Sequence, residues 1–357
     1  MPLSIDRIRS KNITVGIVGL GYVGLPLSFV FAEAGVKVIG FDIDQTKISS
    51  IHAGRSYIKH IDHGRLEGLV KTKIFTATSD FSQIAQCDAV IICVPTPLDH
   101  HLEPDLSYII HTTEAMAPYI QPHTLVSLES TTWPGTTEEV VQPILETKGK
   151  TTLGKDLYLC FSPEREDPGN KHYNTKTIPK LVGGANAESL ELSVALYSLA
   201  IDNVVPLSST RVAETAKLFE NIFRSVNIAL VNEMKMICDP MGINVWEVIK
   251  AAGTKPFGFM SFWPGPGLGG HCIPIDPYYL TWKAKEFGVR TRFIELAGEI
   301  NRSMPGYVVS KVQDCLNDDG KALKGSRILI LGLSYKADID DMRESPSLEL
   351  IHMLEAK

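Results

Sequence analysis

The chain has 357 residues, is 44% hydrophobic and carries 35 basic against 41 acidic side chains, a formal net charge of −6. That is enough apolar material for two or three domains with their own cores, and it lacks the basic field that draws nucleic acid or anionic lipid. The N-terminus has polar residues where a signal peptide needs its apolar stretch, and no run of about 18 apolar residues appears, so the expected compartment is the cytoplasm.

Residues 13–42, ITVGIVGLGYVGLPLSFVFAEAGVKVIGFD, open the predicted elements. A β-branched run ends in Gly19-Leu20-Gly21-Tyr22-Val23-Gly24, a helical pattern follows, and a second β-rich run ends at Asp42. This is a βαβ unit with the G-x-G-x-x-G fingerprint at its turn. Gly19 permits the tight turn, Gly21 lets backbone approach a pyrophosphate, and Gly24 lets helix pack on strand. The pyrophosphate would rest on the helix N-terminus, where unpaired amides point outward. An acid at the end of the second strand with no adjacent arginine matches a free ribose 2′-hydroxyl, so NAD is expected over NADP. Asp44 is either a helper there or the N-cap of QTKISSIH.

Further strand and helix alternations follow: DAVIICVPTP (88–97), TLVSLESTTWPGTTEEVV (124–141), DLYLCFSPERE (156–166) and PKLVGG (179–184). Their spacing predicts a parallel, doubly wound sheet, whose ligands bind outside the carboxyl ends of the strands. The loops there hold Pro95, Thr96, Ser130, Thr131 and Glu164. The STT run can equally be a plain helix cap.

From Thr210 to about Met241 the periodicity predicts one long helix. Lys217 and Asn221 lie four apart on one face, with Arg224 one turn further, while a lone helical lysine is ordinarily solvated. A long apolar helix also fits a dimer interface, or a buried intramolecular position. The last segment, GSRILILGLSYKADIDDMRESPSLELIHMLEAK, opens a second strand-turn-helix unit over 326–357 that is cut short. The expected architecture is therefore α/β: a Rossmann-type domain over 1–205, a central long-helix domain over 206–320, and the start of a second Rossmann-like domain over 321–357.

Six cysteines, at 87, 93, 160, 238, 272 and 315, form no CxxC pair, which argues against a disulfide framework and a structural zinc site. Five sit in apolar surroundings and read as buried small hydrophobes. Cys272 differs: it lies in GLGGHCIPIDP, among glycines and prolines, with Asp276 four residues on. In a chain with a dinucleotide site, such a thiol can capture an aldehyde as a thiohemiacetal; hydride loss gives a thioester, and water gives an acid. Lys217 or His271 would favour the thiolate, Lys217 and Asn221 would stabilise the alkoxide, and Asp276 would assist proton transfer.

The motifs GIVGLGYVGLPLS, ICVPTPL, ESTTWPGTT, FSPERE, AKLFENIFRSVNIALVNE, GPGLGGHCIPIDPYYL and YKADIDDMRESPSLEL occur in the order found in nucleotide-sugar 6-dehydrogenases. Across essentially its whole length the chain resembles the UDP-N-acetylhexosamine branch of the UDP-glucose/GDP-mannose family. The resemblance implies oxidation of the sugar C6 alcohol to a carboxylate with two NAD and no metal, supplying polysaccharide precursors. It implies Cys272 as nucleophile, Lys217 and Asn221 as the oxyanion pair, Asp276 as acid-base residue, and Glu164 and Thr131 as the pair that positions water. Gly19, Gly21, Tyr22, Val23, Gly24, Asp42, Pro95, Thr96, Thr131 and Arg343 match cofactor positions. Arg165, Arg224 and the loop KPFGFMSFWPGPGLGG, with Phe257, Gly258 and Gly269, match the substrate side.

The family's UDP-glucose members carry serine and then phenylalanine-proline-lysine around the cysteine. Here His271, Ile273, Pro274 and Ile275 stand instead, as in acetamido-sugar enzymes, with UDP-N-acetylglucosamine favoured and UDP-N-acetylmannosamine next. A homodimer through the long helix is expected. The competing readings are a single-hydride β-hydroxyacid dehydrogenase, which has no use for Cys272, and an NAD-binding scaffold without turnover.

Overall fold

The computed structural model describes residues 2–58, 61, 63–99, 101–166, 173–270, 273–336, 342 and 344–357. The chain divides into two compact units, Met1–Lys217 and Leu218–Lys357.

The first unit is built on eight strands: β1 (Thr14–Val18), β2 (Lys37–Phe41), β3 (Phe75–Thr78), β4 (Ala89–Ile92), β5 (Thr124–Leu128), β6 (Leu157–Phe161), β7 (Lys180–Gly184) and β8 (Val204–Leu207). Its helices are α1 (Ile5–Arg9), α2 (Gly24–Glu33), α3 (Gln45–His52), α4 (His63–Lys71), α5 (Ser107–Met116), α6 (Gln142–Gly149) and α7 (Ala187–Tyr197). The strands run in the order β3-β2-β1-β4-β5-β6-β7-β8. Every residue of β4, β5 and β6 is buried, which is why they read as continuous apolar runs rather than alternating ones. At the edges the pattern relaxes: β3 alternates buried and half-buried residues, and β8 tolerates Pro206.

One expectation needs correction. The sheet is parallel from β3 through to β6, but β7 pairs antiparallel with β6, in the register Cys160↔Gly184 and Phe161↔Gly183, and β8 follows β7 in parallel. A parallel neighbour requires a long crossover, usually a helix. The connection from β6 to β7 carries no helix among its described residues.

The predicted long helix is α8 (Thr210–Cys238), 29 residues that start in the first unit and continue into the second. Then come α9 (Val245–Ala252), capped by Asn244, α10 (Asp276–Glu286), α11 (Arg292–Asp318) with Pro305 inside it, and α12 (Pro346–Glu355). Val231, Cys238, Val245 and Ile249 form a small apolar core with Met234 and Phe262 packed against it. A chain of amides runs beside that core. Asn301 donates to the Ser225 carbonyl at 3.0 Å and accepts from Asn232 Nδ2 at 2.9 Å, while Asn232 Oδ1 accepts the Gly265 N–H at 3.0 Å. The glycine-rich loop is thereby hung from two buried asparagines.

Two further expectations fail. Residues 326–333 form no strand, and Leu329 and Leu331 are 82% and 87% exposed. A short apolar run becomes a strand only beside another strand, and the described residues of this unit supply none. Of the five cysteines expected inside, Cys87, Cys93, Cys160 and Cys238 are buried but Cys315 is exposed, because its place on α11 turns it outward. Burial pushes the Cys87 and Cys160 thiols up to about 12 and about 11, so they are neutral and unreactive near pH 7. Among the described residues no helix is long and apolar enough to cross a membrane.

Candidate active site

Gly19 follows β1 with φ +95°, and a Cβ there would stand 2.7 Å from the Cys93 carbonyl oxygen. A Cβ on Gly24 would run into the Gly19 carbonyl oxygen, so the first turn of α2 closes on the strand only with glycine. Gly21 differs, because nothing lies within 4 Å of where its Cβ would be. Two glycines are thus demanded by packing, and the third leaves open space beside the start of α2. Val23, the N-cap of α2, makes no side-chain capping bond, so the side chains leave the first-turn amides to another acceptor. These features fit a dinucleotide pyrophosphate. Tyr22 is exposed at the rim of the same turn.

Asp42 stands at the end of β2, 7% exposed. Its Oδ2 accepts the Leu20 N–H at 2.9 Å and pairs with Lys47 Nζ at 2.9 Å, while Oδ1 accepts the Asp44 N–H at 2.9 Å. The acid is therefore locked to the glycine turn it serves. Asp44 is the N-cap of α3, accepting from Thr46 N at 2.8 Å, which resolves its two readings in favour of the cap. Tyr57 donates to the Leu20 carbonyl; burial, then Asp42 and Asp44, push its hydroxyl well above the ordinary tyrosine range. Lys47 and Tyr57 were not visible as partners in the sequence, since neither belongs to the glycine pattern.

Beyond β4, Pro95 is exposed and Thr96 buried. Beyond β5, Ser130 Oγ donates to the Val94 carbonyl at 2.7 Å, tying the two loops together, and Thr131 is half-buried beside it. The STT run does not simply cap the following helix. The amides of Gly135 and Thr137 donate to Glu214 of α8 at 2.5 and 2.9 Å, and the Thr137 hydroxyl donates to the same carboxylate at 2.6 Å. The helix starts with a π-type turn over Thr137–Val141 before α6, a local irregularity that often accompanies functional loops.

Beyond β6, Glu164 Oε1 accepts the N–H groups of Arg165 and Glu166 at 2.8 and 2.6 Å, and Oε2 accepts from Lys180 Nζ at 3.0 Å. Burial alone would raise the Glu164 carboxyl, but the Lys180 ammonium and those two amides bring it below the usual carboxylate range. The Arg165 guanidinium donates to the Pro179 carbonyl at 2.6 Å. Lys217 is only 9% exposed, so it is not the solvated helical lysine that position ordinarily implies.

In the second unit Asn221 Nδ2 donates to the Asp276 carboxylate, and Asp276 is 2% exposed as the first residue of α10, with Pro277 next. Arg224 is exposed on α8, and Phe257 and Gly258 lie on the exposed part of the loop. Gly269 has a packing role: a Cβ there would collide with the Tyr335 side chain. Cys272, His271 and Arg343 lie outside the described residues. No group of three or more histidine, cysteine or acidic side chains among the described residues could hold a metal ion.

The sequence matches three models of one family, UDP-glucose/GDP-mannose dehydrogenase: the NAD binding domain over residues 13–201, the central domain over 211–303 and the UDP binding domain over 329–357. It is 40% identical to Protein CapL of Staphylococcus aureus, across 96% of this chain and 79% of that protein. It is 37% identical to UDP-N-acetyl-D-glucosamine 6-dehydrogenase of Pseudomonas aeruginosa, across 96% and 80%. The structure of a UDP-D-ManNAc dehydrogenase from Pyrococcus horikoshii superposes with a TM-score of 0.90 at 34% identity, covering 96% of this chain and 81% of that one. The chain belongs to the UDP-glucose/GDP-mannose dehydrogenase family, and the sheet that carries the glycine turn and Asp42 is that family's NAD-binding domain.

Proposed function

We propose that the protein is an NAD-dependent UDP-N-acetylhexosamine 6-dehydrogenase, with UDP-N-acetylglucosamine the first sugar and UDP-N-acetylmannosamine the second. The observation that carries the reading is the buried Asp276 at the start of α10, held by Asn221 and four residues after Cys272 in the sequence. A carboxylate and an amide placed there suit proton transfer at a sugar alcohol and support of its alkoxide. Relatives whose names give UDP-N-acetyl-D-glucosamine and UDP-N-acetyl-D-mannosamine as substrates, at 37% and 36% identity, support the acetamido-sugar class.

NAD, when bound, would supply the hydride acceptor; Gly19, Gly21, Gly24 and Asp42 would hold it, with Tyr22, Val23, Pro95, Thr96, Thr131 and Arg343 assigned to the same side. Asp276 takes the proton of the C6 hydroxyl as the alcohol becomes an aldehyde. The Cys272 thiolate adds to that aldehyde, and Lys217 and Asn221 stabilise the resulting alkoxide. A second hydride loss leaves a thioester. Water oriented by Glu164 and Thr131 then cleaves the carbon–sulfur bond, restoring the thiol and giving the carboxylate. The balance is one alcohol, two NAD and one water to one carboxylate, two NADH and three protons. Arg165, Arg224, Phe257, Gly258 and Gly269 are assigned to the nucleotide sugar.

The test is NADH formed per sugar consumed, with the two acetamido sugars and UDP-glucose in parallel. Two per acetamido sugar supports the reading, one points to a single-hydride dehydrogenase, and none to a scaffold. Cys272→Ser should stop the reaction before the acid forms, and unchanged turnover in that variant would sink the mechanism.

Assembly through α8 belongs to the same proposal. Val212, Phe219, Phe223, Leu230 and Ile237 all expose large apolar side chains, at spacings that recur on one helical face. Phe219→Glu should shift the sedimenting mass from dimer to monomer; a monomeric parent protein would remove this part of the proposal.

A further inference from the structure

Glu164 is one end of a buried charge cluster that the chemistry above leaves unused. Lys180, the first residue of β7, donates to Glu164 Oε2 at 3.0 Å and to Glu129 Oε2 at 2.8 Å. Glu129 directly follows β5, and its other oxygen accepts the Tyr197 hydroxyl at 2.6 Å from α7. Tyr197 in turn meets Ser127 Oγ at 2.8 Å, and its ring lies 5.6 Å from the Lys180 ammonium. The cluster is sealed at one end and open at the other: the Glu129 side chain is 0% exposed, Lys180 5% and Glu164 15%.

Two carboxylates sharing one ammonium in the interior is a costly way to pin strands together, and apolar side chains of similar volume would do that better. The arrangement instead separates the two acids. Glu129 is raised, first by burial and then by Glu164, against the pull of Lys180, while Glu164 is held low. A pair of acids driven apart by their surroundings is the usual mark of an assigned acid and base. Three other groups facing the cluster are uncharged near neutral pH, and a third carboxylate, Glu166, faces it as well. Cys93 after β4, Cys160 on β6 and Tyr197 on α7 are all raised by burial and stay neutral. Glu166, bonded by Thr175 at 2.8 Å and influenced by Arg65, is raised by burial and by Glu164.

We propose that Lys180 and Glu129 are positioning residues for Glu164: Lys180 fixes its carboxylate as an ionised, water-orienting acceptor, and Glu129 limits how much of the ammonium's charge Glu164 feels. This rests on the role given to Glu164 in thioester hydrolysis. Removal of Lys180 and removal of the Glu129 charge should therefore shift the same ionisation in opposite directions, which a purely structural pin would not do.

The test is the pH dependence of kcat for acid formation in the full chain with NAD and the UDP-sugar. Lys180→Gln should move the acid limb to higher pH by about one unit, Lys180→Arg should restore it, and Glu129→Gln should move it to lower pH. Binding of NAD and the KM for the sugar should stay near the parent values. Limbs that do not move, or move in the same direction, in variants with parental Tm overturn the proposal. If Lys180→Gln does not fold, Glu129→Gln decides alone: a downward shift supports the proposal, and any other result overturns it. Glu164→Gln separates this failure from that of the function itself. An acid limb that persists in that variant removes Glu164 from the chemistry, whereas a limb lost there but unmoved by Lys180 and Glu129 changes removes only their positioning role.

Discussion

The cofactor turn of the first unit and the glycine-rich loop of the second are both rich in glycine, yet they hold their shapes by different means. In the turn, glycine is imposed by backbone: strand, carbonyl and helix approach so closely that Gly19 and Gly24 have no room for a Cβ. In the loop, shape comes from side chains at a distance, the Ser225, Asn301, Asn232 and Gly265 relay that starts on α8 and α11. A backbone-imposed site is rigid because the sheet is; a side-chain-hung loop is only as rigid as its buried hydrogen bonds.

That contrast can be broken by substitution. The largest effect is expected at Gly24→Ala, where the new methyl meets the Gly19 carbonyl: a loss of about 3 kcal/mol in urea denaturation together with loss of NAD binding. Next comes Asn301→Ala, which strands the Ser225 carbonyl and the Asn232 amide. It should cost about 2 kcal/mol and raise the KM for the sugar, while NAD binding measured by calorimetry stays unchanged. The smallest stability effect is expected at Gly21→Ala, within about 0.5 kcal/mol because its Cβ points into open space, with NAD binding weakened about tenfold, roughly 1.4 kcal/mol. Should Gly21→Ala destabilise the protein as much as Gly24→Ala, the division into packing glycines and a ligand-facing glycine would fall. Weakened NAD binding in Asn301→Ala would show instead that the two regions are not independent.

Much of the first site was legible because its determinants are adjacent in the chain. The strand, the three glycines, the helix and Asp42 fall within residues 13–42, and the structure assembles them in that order. Asp44 could be read two ways from sequence, and the hydrogen bonds it accepts from the Thr46 amide and hydroxyl decide it. The 326–333 run carried a clear strand pattern and formed none, since an apolar run describes one strand and says nothing of its neighbour. Lys217 shows the opposite case: lysine on a helix is ordinarily solvated, and it is the packing around α8 that buries this one.

The sequence by itself determined the dinucleotide unit, the long helix and the ordered set of motifs, because those rest on local periodicity and on steric demands between near neighbours. The tertiary structure alone decided which polar groups meet. Lys180 lies 51 residues from Glu129 and 16 from Glu164, and Glu214 caps amides 77 and 79 residues away. Such pairings leave no periodic trace, because a charge is placed inside a protein by the partner that compensates its burial, and that partner is chosen by the fold rather than by the neighbouring residues.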